Sequence, residues 1–535
     1  MIEAWEWGED DVAANSKSFV NLDALIPRAD LFEHPDAVVA DAPSLRLTDL
    51  EPGLTYNLLR KPDFQRETAN WTPAQVAGLI HTFCDSDIIP AIILWQNGNQ
   101  VFVVDGAHRL SALVAWVRND FGAGLLSTEL FKGRIPERQR VMHEQTLELV
   151  NNSVGTWDSY KASNSILGLK ALQVQWINGH TPAQAARAFI RINQGGTVID
   201  NLEARILQAA RSALSIATRV ITRGGAGHPY WTHFTNSEAK TKSPALGAEI
   251  YKLLYEPPLQ TPIKTLEVPL AGVGYGSTVI RFAFDLVALA NNLPVADSTR
   301  KPKETDTPMA DDSDGTGTLN YLRRAKKLVQ FVLSNEPHSL GLHPLLYFYT
   351  PSGVFQPAAF LNTTAWLAGL NKREKLDEFR TVRGAFEDLI LAHPSIVKPS
   401  THKLGSGTRT RNKTLLLFDR MVELLAAKPD LVVVWGTLKD EFPHLIANEA
   451  AELAEDDGLP GASFSNGAKS ALSFADLSTA PRCSLCGGLL HSNGKVADHA
   501  EKKSAGGGSS SKNGRWVHPV CNSNREKDEK AEALV

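Results

Sequence analysis

Val101-Phe102-Val103-Val104-Asp105-Gly106-Ala107-His108-Arg109-Leu110-Ser111-Ala112-Leu113 reads as a strand, a turn and the start of a helix. The apolar run stops at Asp105-Gly106, and Leu110, Leu113, Val114 and Val117 then recur at the spacing of one helix face. A helix N-terminus offers unpaired N–H groups and a partial positive charge. With His108 and Arg109 beside it, this turn is a candidate phosphate site. Working upstream, Asn97-Gly98 is a hairpin turn joining Gln100 to Val104 to an earlier strand expected over 88–95. Thr72-Pro73 is an N-cap followed by proline at the first helical position, and Val76, Leu79, Ile80 and Phe83 fall on one face of the helix that follows. Downstream, Tyr160 to Ile177 is expected to be helical and closed by Asn178-Gly179. Thr181-Pro182 opens another helix that runs into Asn193-Gln194-Gly195-Gly196-Thr197. Residues 1 to about 50 give no regular pattern.

Beyond this region, residues 212 to 450 read mostly as helices and loops. Lys301 to Gly317, rich in Pro, Asp, Thr and Gly, is expected to be a disordered excursion. Thr401 to Lys413 is a basic loop whose Arg409 and Arg411 are candidate DNA contacts. Residues 452 to 480 have the composition of a tether. The composition, 43% apolar and 21% charged over 535 residues, is that of a soluble globular protein large enough for about three domains. No apolar run is long enough to cross a bilayer, which argues against a membrane partner. The acidic opening Met1 to Glu6 lacks a secretory signal, so a cytoplasmic location is expected. The net charge of -4 is unevenly spread, because Arg482 to Val535 carries nine Lys+Arg against six Asp+Glu. A basic end on an acidic body points to a polyanion.

Three of the four cysteines, Cys483, Cys486 and Cys521, lie in that basic end, while Cys84 sits in an apolar helical stretch as a core residue. Cys483-x2-Cys486 and His518-x2-Cys521 form two ligand pairs suited to tetrahedral structural zinc. A small module poor in large apolar residues needs such a staple. Between the pairs stand Asp498-His499 and Asn513, and Asn522 directly follows Cys521.

This order (CSLCGG, ADH, AGGGSSSKN, HPVCNSNR) resembles the HNH endonucleases over about 50 residues. The resemblance implies a β-hairpin and a helix gripping a catalytic metal. It makes His499 the general base, gives Asp498 and Asn522 to a Mg2+ or Mn2+ ion, and has Asn513 brace the loop that orients His499. Arg515, Arg525 and Lys527 are placed to contact backbone phosphates. The family's usual Cys is replaced by His518, and the 505–514 loop is unusually rich in Gly and Ser.

Pro62-Asp63-Phe64-Gln65-Arg66 before Trp71, the Asp105-Gly106-Ala107-His108-Arg109 turn, and Phe189-Ile190-Arg191-Ile192-Asn193-Gln194-Gly195-Gly196-Thr197 with Glu203 beyond form an ordered set. It resembles, over about residues 55 to 205, the N-terminal domain of GmrSD-type modification-dependent restriction enzymes. The resemblance implies a ParB/sulfiredoxin-like α/β domain that handles GTP or another nucleoside triphosphate and recognises modified DNA. Asp105, Gly106, His108 and Arg109 would form the nucleotide site, with Gln65, Arg66, Arg191 and Asn193 lining the same cleft. Ala107-His108 stands where the family has Gln-Gln, which bears on hydrolysis more than on binding.

The expected fold class is therefore an α+β multidomain chain. A sensor domain occupies 1–215, a mainly helical coupling domain 216–451, a linker 452–480 and an HNH domain 481–535. The expected function is a restriction-type, anti-phage DNA endonuclease acting on double-stranded DNA, with an accessory NTPase and scope for self-association. Two alternatives stand beside it: a DNA-binding regulator whose zinc knuckle is not catalytic, and an NTPase as the main activity.

Overall fold

The computed structural model describes residues 19–29, 42–164, 170–177, 209–256, 268–293, 309–397, 408–443 and 466–532 apart from isolated positions, with scattered positions between 181 and 206. The chain is mixed α/β and mostly helical, with a sheet near its start and a Cys/His cluster near its end.

The sheet has six strands, β1 (Arg28–Ala29), β2 (Ser44–Arg46), β3 (Leu59–Pro62), β4 (Ile92–Asn97), β5 (Gln100–Asp105) and β6 (Ala171–Ile177), in the order β1-β3-β5-β4-β6-β2. β4 and β5 form the expected hairpin, with Asn97 opposite Gln100 and Gly98 in the left-handed region at φ 60°. β5 pairs with β3 in parallel and β4 with β6 in parallel, so both hairpin strands are central. That explains their near-continuous apolar sequence, since strands covered on both faces have no polar side to show. Val103 joins the main core with Leu110 and Leu113 of helix Ala107–Arg118, while Phe102 and Val104 pack with Trp95 on the other face. Thr72 caps helix Pro73–Cys84 in a reciprocal box with Gln75, and Val76, Ile80 and Phe83 are buried. Cys84 is half-buried, and burial pushes its thiol up to about 11.

Several expectations need correcting. The helix expected over 160–177 ends early: Trp157–Ser163 is helical, but Ala171–Ile177 is β6. Its β-branched and aromatic residues, Val174, Trp176 and Ile177, take the vacant parallel edge of β4. The strand expected from residue 88 starts at Ile92, and Ile88 is 97% exposed. The patternless N-terminal stretch supplies β1 and β2. Asp311 to Gly317 is ordered where an excursion was expected, because Asp312 accepts hydrogen bonds from the backbone and hydroxyl of Thr318 at 2.6 and 2.7 Å. Part of the tether is helix Asn466–Ala475.

A buried charge cluster joins the chain before β1 to β3. Asp23 pairs with Arg28 at 2.6 Å and Lys61 at 2.8 Å. Burial would push the Asp23 carboxyl up, but the Arg28 and Lys61 cations outweigh it and hold it well below the usual carboxylate range.

The helical body runs from helix Ala213–Thr222 to helix Leu431–Glu441 around one core, where Trp366 stacks on Phe386 with ring centroids 5.5 Å apart. That core does not stop at the body. It takes in Leu477, Cys483, Leu489, Leu490, Val517, Val520 and Cys521 of the C-terminal segment. No described helix is long and apolar enough to cross a membrane.

Candidate metal centre and nuclease hairpin

The first knuckle is a tight turn: the Cys483 amide donates to the Gly488 carbonyl at 2.8 Å, and the Gly487 amide to the Cys483 carbonyl at 2.9 Å. Gly487 takes φ 71°, a conformation that a side chain would strain. The second pair stands where helix Pro519–Glu532 begins, so one turn brings His518 and Cys521 to the same side. One ligand atom from each of Cys483, Cys486, His518 and Cys521 lies within 4.8 Å of the others. Three sulfurs and an imidazole nitrogen at this spacing suit a tetrahedral zinc ion.

The three thiols share their hydrogen bonds unequally: those from Cys486 and Cys521 hold the Cys483 thiol far below its ordinary value, while the bonds to Cys483 push the Cys486 and Cys521 thiols up, so the cluster favours one thiolate, at Cys483. Burial lowers His518, keeping its imidazole neutral. His518 Nε2 lies 2.9 Å from the Leu489 carbonyl and so carries the proton, leaving Nδ1, 3.3 Å from Cys486 Sγ, to face the cluster.

Leu489 also ties the knuckle to the helical body, because its amide donates to the carboxylate of Glu387. Glu387 further accepts from Arg383 Nε at 2.7 Å and from the Tyr347 hydroxyl at 2.9 Å. Arg383 and Glu387 are both fully buried. A Cβ at Gly488 would come within 2.6 Å of Arg383 Nε, so only glycine fits there. Arg482 pairs with Asp388 at 2.6 Å, and the Val520 amide donates to the Ser339 carbonyl at 3.0 Å. The residues under the knuckle were missed in sequence. The available signal was an Arg and a Glu at i, i+4 among the apolar positions Phe379, Phe386, Leu389 and Ile390.

Next to the cluster, β7 (Val496–His499) and β8 (Gly514–Val517) form an antiparallel hairpin with Asp498 opposite Arg515. Successive strand residues point to opposite faces, so Asp498 and His499 diverge. Asp498 is buried, and both its oxygens are taken: Arg515 Nε donates at 2.9 Å and Arg525 at 3.1 Å. His499 is half-buried at the strand end, and its carbonyl accepts from Arg525 at 2.5 Å. Asn513 knots the connecting loop. Its side chain accepts from the Glu501 amide at 2.7 Å and donates to the carbonyls of Glu501 and Gly508 at 3.0 and 2.7 Å. Asn522 is exposed on the first turn of the last helix. As arranged, Asp498 is an anion between two cations and does not fit a divalent ion until those guanidiniums leave.

At the other end of the chain, Gly106 caps helix Ala107–Arg118 with φ 87°. Arg109 turns back onto Asp105 at 2.7 Å and onto the Pro90 carbonyl at 2.7 Å. The His108 ring lies 5.6 Å from Trp71. Gln65 is buried, and its backbone carbonyl accepts from Arg28 at 2.6 Å. Arg66, Arg191, Asn193 and Glu203 lie outside the described residues, as do the side chains of Arg409 and Lys527. Arg411 stands half-buried on helix Thr408–Ala427, not on an exposed loop, and burial lowers its pKa.

Residues 50–209 match the family model of the GmrSD restriction endonuclease, N-terminal domain. The chain carries a GmrSD N-terminal domain. The matched region holds strands β3 to β6 and the Asp105–Arg109 turn. Neither curated proteins nor solved structures gave a match to the chain.

Proposed function

We propose that the protein is a modification-dependent DNA endonuclease of HNH chemistry, whose GmrSD domain senses a nucleoside triphosphate or a modified base. The observation that carries this reading is the convergence of Cys483, Cys486, His518 and Cys521 beside a hairpin that ends in Asp498-His499. Zinc held by those four residues would set the hairpin's position. Asn513, through its three hydrogen bonds, holds the loop next to His499. The His499 imidazole takes a proton from water, and the resulting hydroxide attacks the phosphorus as the bond to the departing oxygen breaks. Asp498 and Asn522 would supply oxygen ligands for Mg2+ or Mn2+, which requires Arg515 and Arg525 to exchange Asp498 for backbone phosphates. A divalent ion bound there would stabilise the charge growing on the phosphate. At the other end, Asp105, Gly106, His108 and Arg109 form the nucleotide-facing turn, which requires Arg109 to exchange Asp105 for a phosphate.

Plasmid or phage DNA incubated with Mg2+ or Mn2+, with and without GTP, tests the reading. Cleavage is expected, and His499→Ala should slow it by about 100-fold or more, the usual contribution of a general base. Binding without cleavage under every metal and nucleotide supports the second reading, a DNA-binding regulator with a zinc knuckle. That alternative is favoured by one observation, the occupation of both Asp498 oxygens by guanidiniums.

A further inference from the structure

The β7–β8 hairpin holds a tryptophan out in water. Trp516 is 50% exposed, the one exposed tryptophan among the described residues. A single exposed ring says little by itself, but the setting of this one is specific. Ala497 stands opposite Trp516 and Gly514 opposite His499. Paired residues and alternate residues of a hairpin share a face, so the Trp516 ring and the His499 imidazole lie on the same side. They are two strand positions apart, about 7 Å along the hairpin. Ala497 and Gly514, the other residues of that face between them, are too small to screen one from the other. The opposite face is the buried one, with Asp498 and Val517. The Trp516 carbonyl accepts from the Ser484 amide at 3.2 Å, so the knuckle fixes the strand beneath the ring.

The charge around the ring has one sign. The Lys495 ammonium lies 4.8 Å from the centre of the Trp516 ring. From Lys495 to Val517 the chain carries Lys495, Lys502, Lys503, Lys512 and Arg515 against Asp498 and Glu501. Asp498 is already neutralised by Arg515 and Arg525. Lys503 and Lys512 are exposed on the loop. A flat apolar face beside a cation, within a basic rim, matches a ligand that joins a flat ring to a phosphate at every step of its length, which is a nucleic-acid strand. A paired base is stacked on both faces within the duplex, so only an unpaired or extruded base can lie on such a ring.

We propose that Trp516 is a stacking platform for an unpaired DNA base beside the scissile phosphate, with Lys495 against the backbone of that nucleotide. The inference rests on the nuclease reading and narrows its substrate to DNA with an unstacked base at the cut. Trp516 is a positioning residue: by holding the base it sets the neighbouring phosphate on the His499 face.

Fluorescence anisotropy of the full chain without added Mg2+ or Mn2+ tests it, on single-stranded DNA, a duplex with a one-base bulge and a matched duplex. Wild type should prefer the first two. Trp516→Ala should weaken binding to those two by about tenfold, as loss of one base–aromatic stack does, and so remove the preference, while Trp516→Phe should keep most of it. A tryptophan that served only the fold would weaken all three alike, and that result overturns the platform. Photo-crosslinking of wild type to an oligonucleotide with 5-iododeoxyuridine in the bulge, read by mass spectrometry, needs no variant: the adduct should fall on Trp516. An adduct confined to other residues, or equal wild-type affinity for paired and unpaired DNA, overturns the platform and leaves the nuclease reading standing. No binding of any DNA by wild type overturns both.

Discussion

Gly106 joins β5 to the helix of the Asp105 turn, and its neighbours leave no room for another residue. Its φ of 87° disfavours any side chain, and an added Cβ would come within 2.6 Å of Ile92 Cγ2 on the neighbouring strand. Gly106→Ala is expected to cost about 1–3 kcal/mol, seen as a lower midpoint in denaturant unfolding of the sheet domain. An unchanged midpoint would mean that the turn is more pliable than its packing implies. At this scale the sequence was informative where chemistry is local. The Cys/His pairs and the strand-turn-helix at Asp105–Arg109 could be named from residue type and spacing, whereas Asn513 was named only through the HNH resemblance. Partners distant in the chain could not: nothing near Asp498 announces Arg525, and nothing near Leu489 announces Glu387.

Among the elements, helix Leu376–Ala392 does more than fill the body. Its Arg383 and Glu387 form a fully buried ion pair whose acid also holds the amide of Leu489. Glu387→Ala would leave a buried guanidinium uncompensated and is expected to destabilise by about 3–5 kcal/mol. The milder Glu387→Gln keeps an acceptor for Leu489 and should retain more of the metal than Glu387→Ala, measured by elemental analysis after dialysis. Equal metal content in both variants would show that this helix does not steady the knuckle. Element boundaries were legible where caps marked them, as at Thr72-Pro73. They failed at β6, where Ala171 to Ile177 carries an apolar pattern compatible with either period and only the open edge of β4 decides between them. They failed again at Thr408, where a Gly- and Ser-containing stretch hid the start of a long helix.

Across the whole molecule, the expected boundary between a helical coupler and a tethered finger has no counterpart in the packing, since Cys483, Leu489, Val517 and Cys521 belong to the body's own core. A sequence shows which residues are apolar but not which distant apolar residues they meet, so this union was invisible before the fold. Treatment with a strong chelator is therefore expected to lower the melting temperature of the helical body together with the knuckle, in one calorimetric transition. A body that melts unchanged while the knuckle alone loosens would contradict a common core.

The backbone of Leu489 serves the imidazole of His518 with its carbonyl and the carboxylate of Glu387 with its amide. Portability is the casualty. A fragment cut before residue 481 and fused to a foreign targeting domain would leave that amide without its acceptor and the apolar underside of the knuckle wet. To transplant the cutting activity, an engineer would have to carry along the helix that contains Arg383 and Glu387.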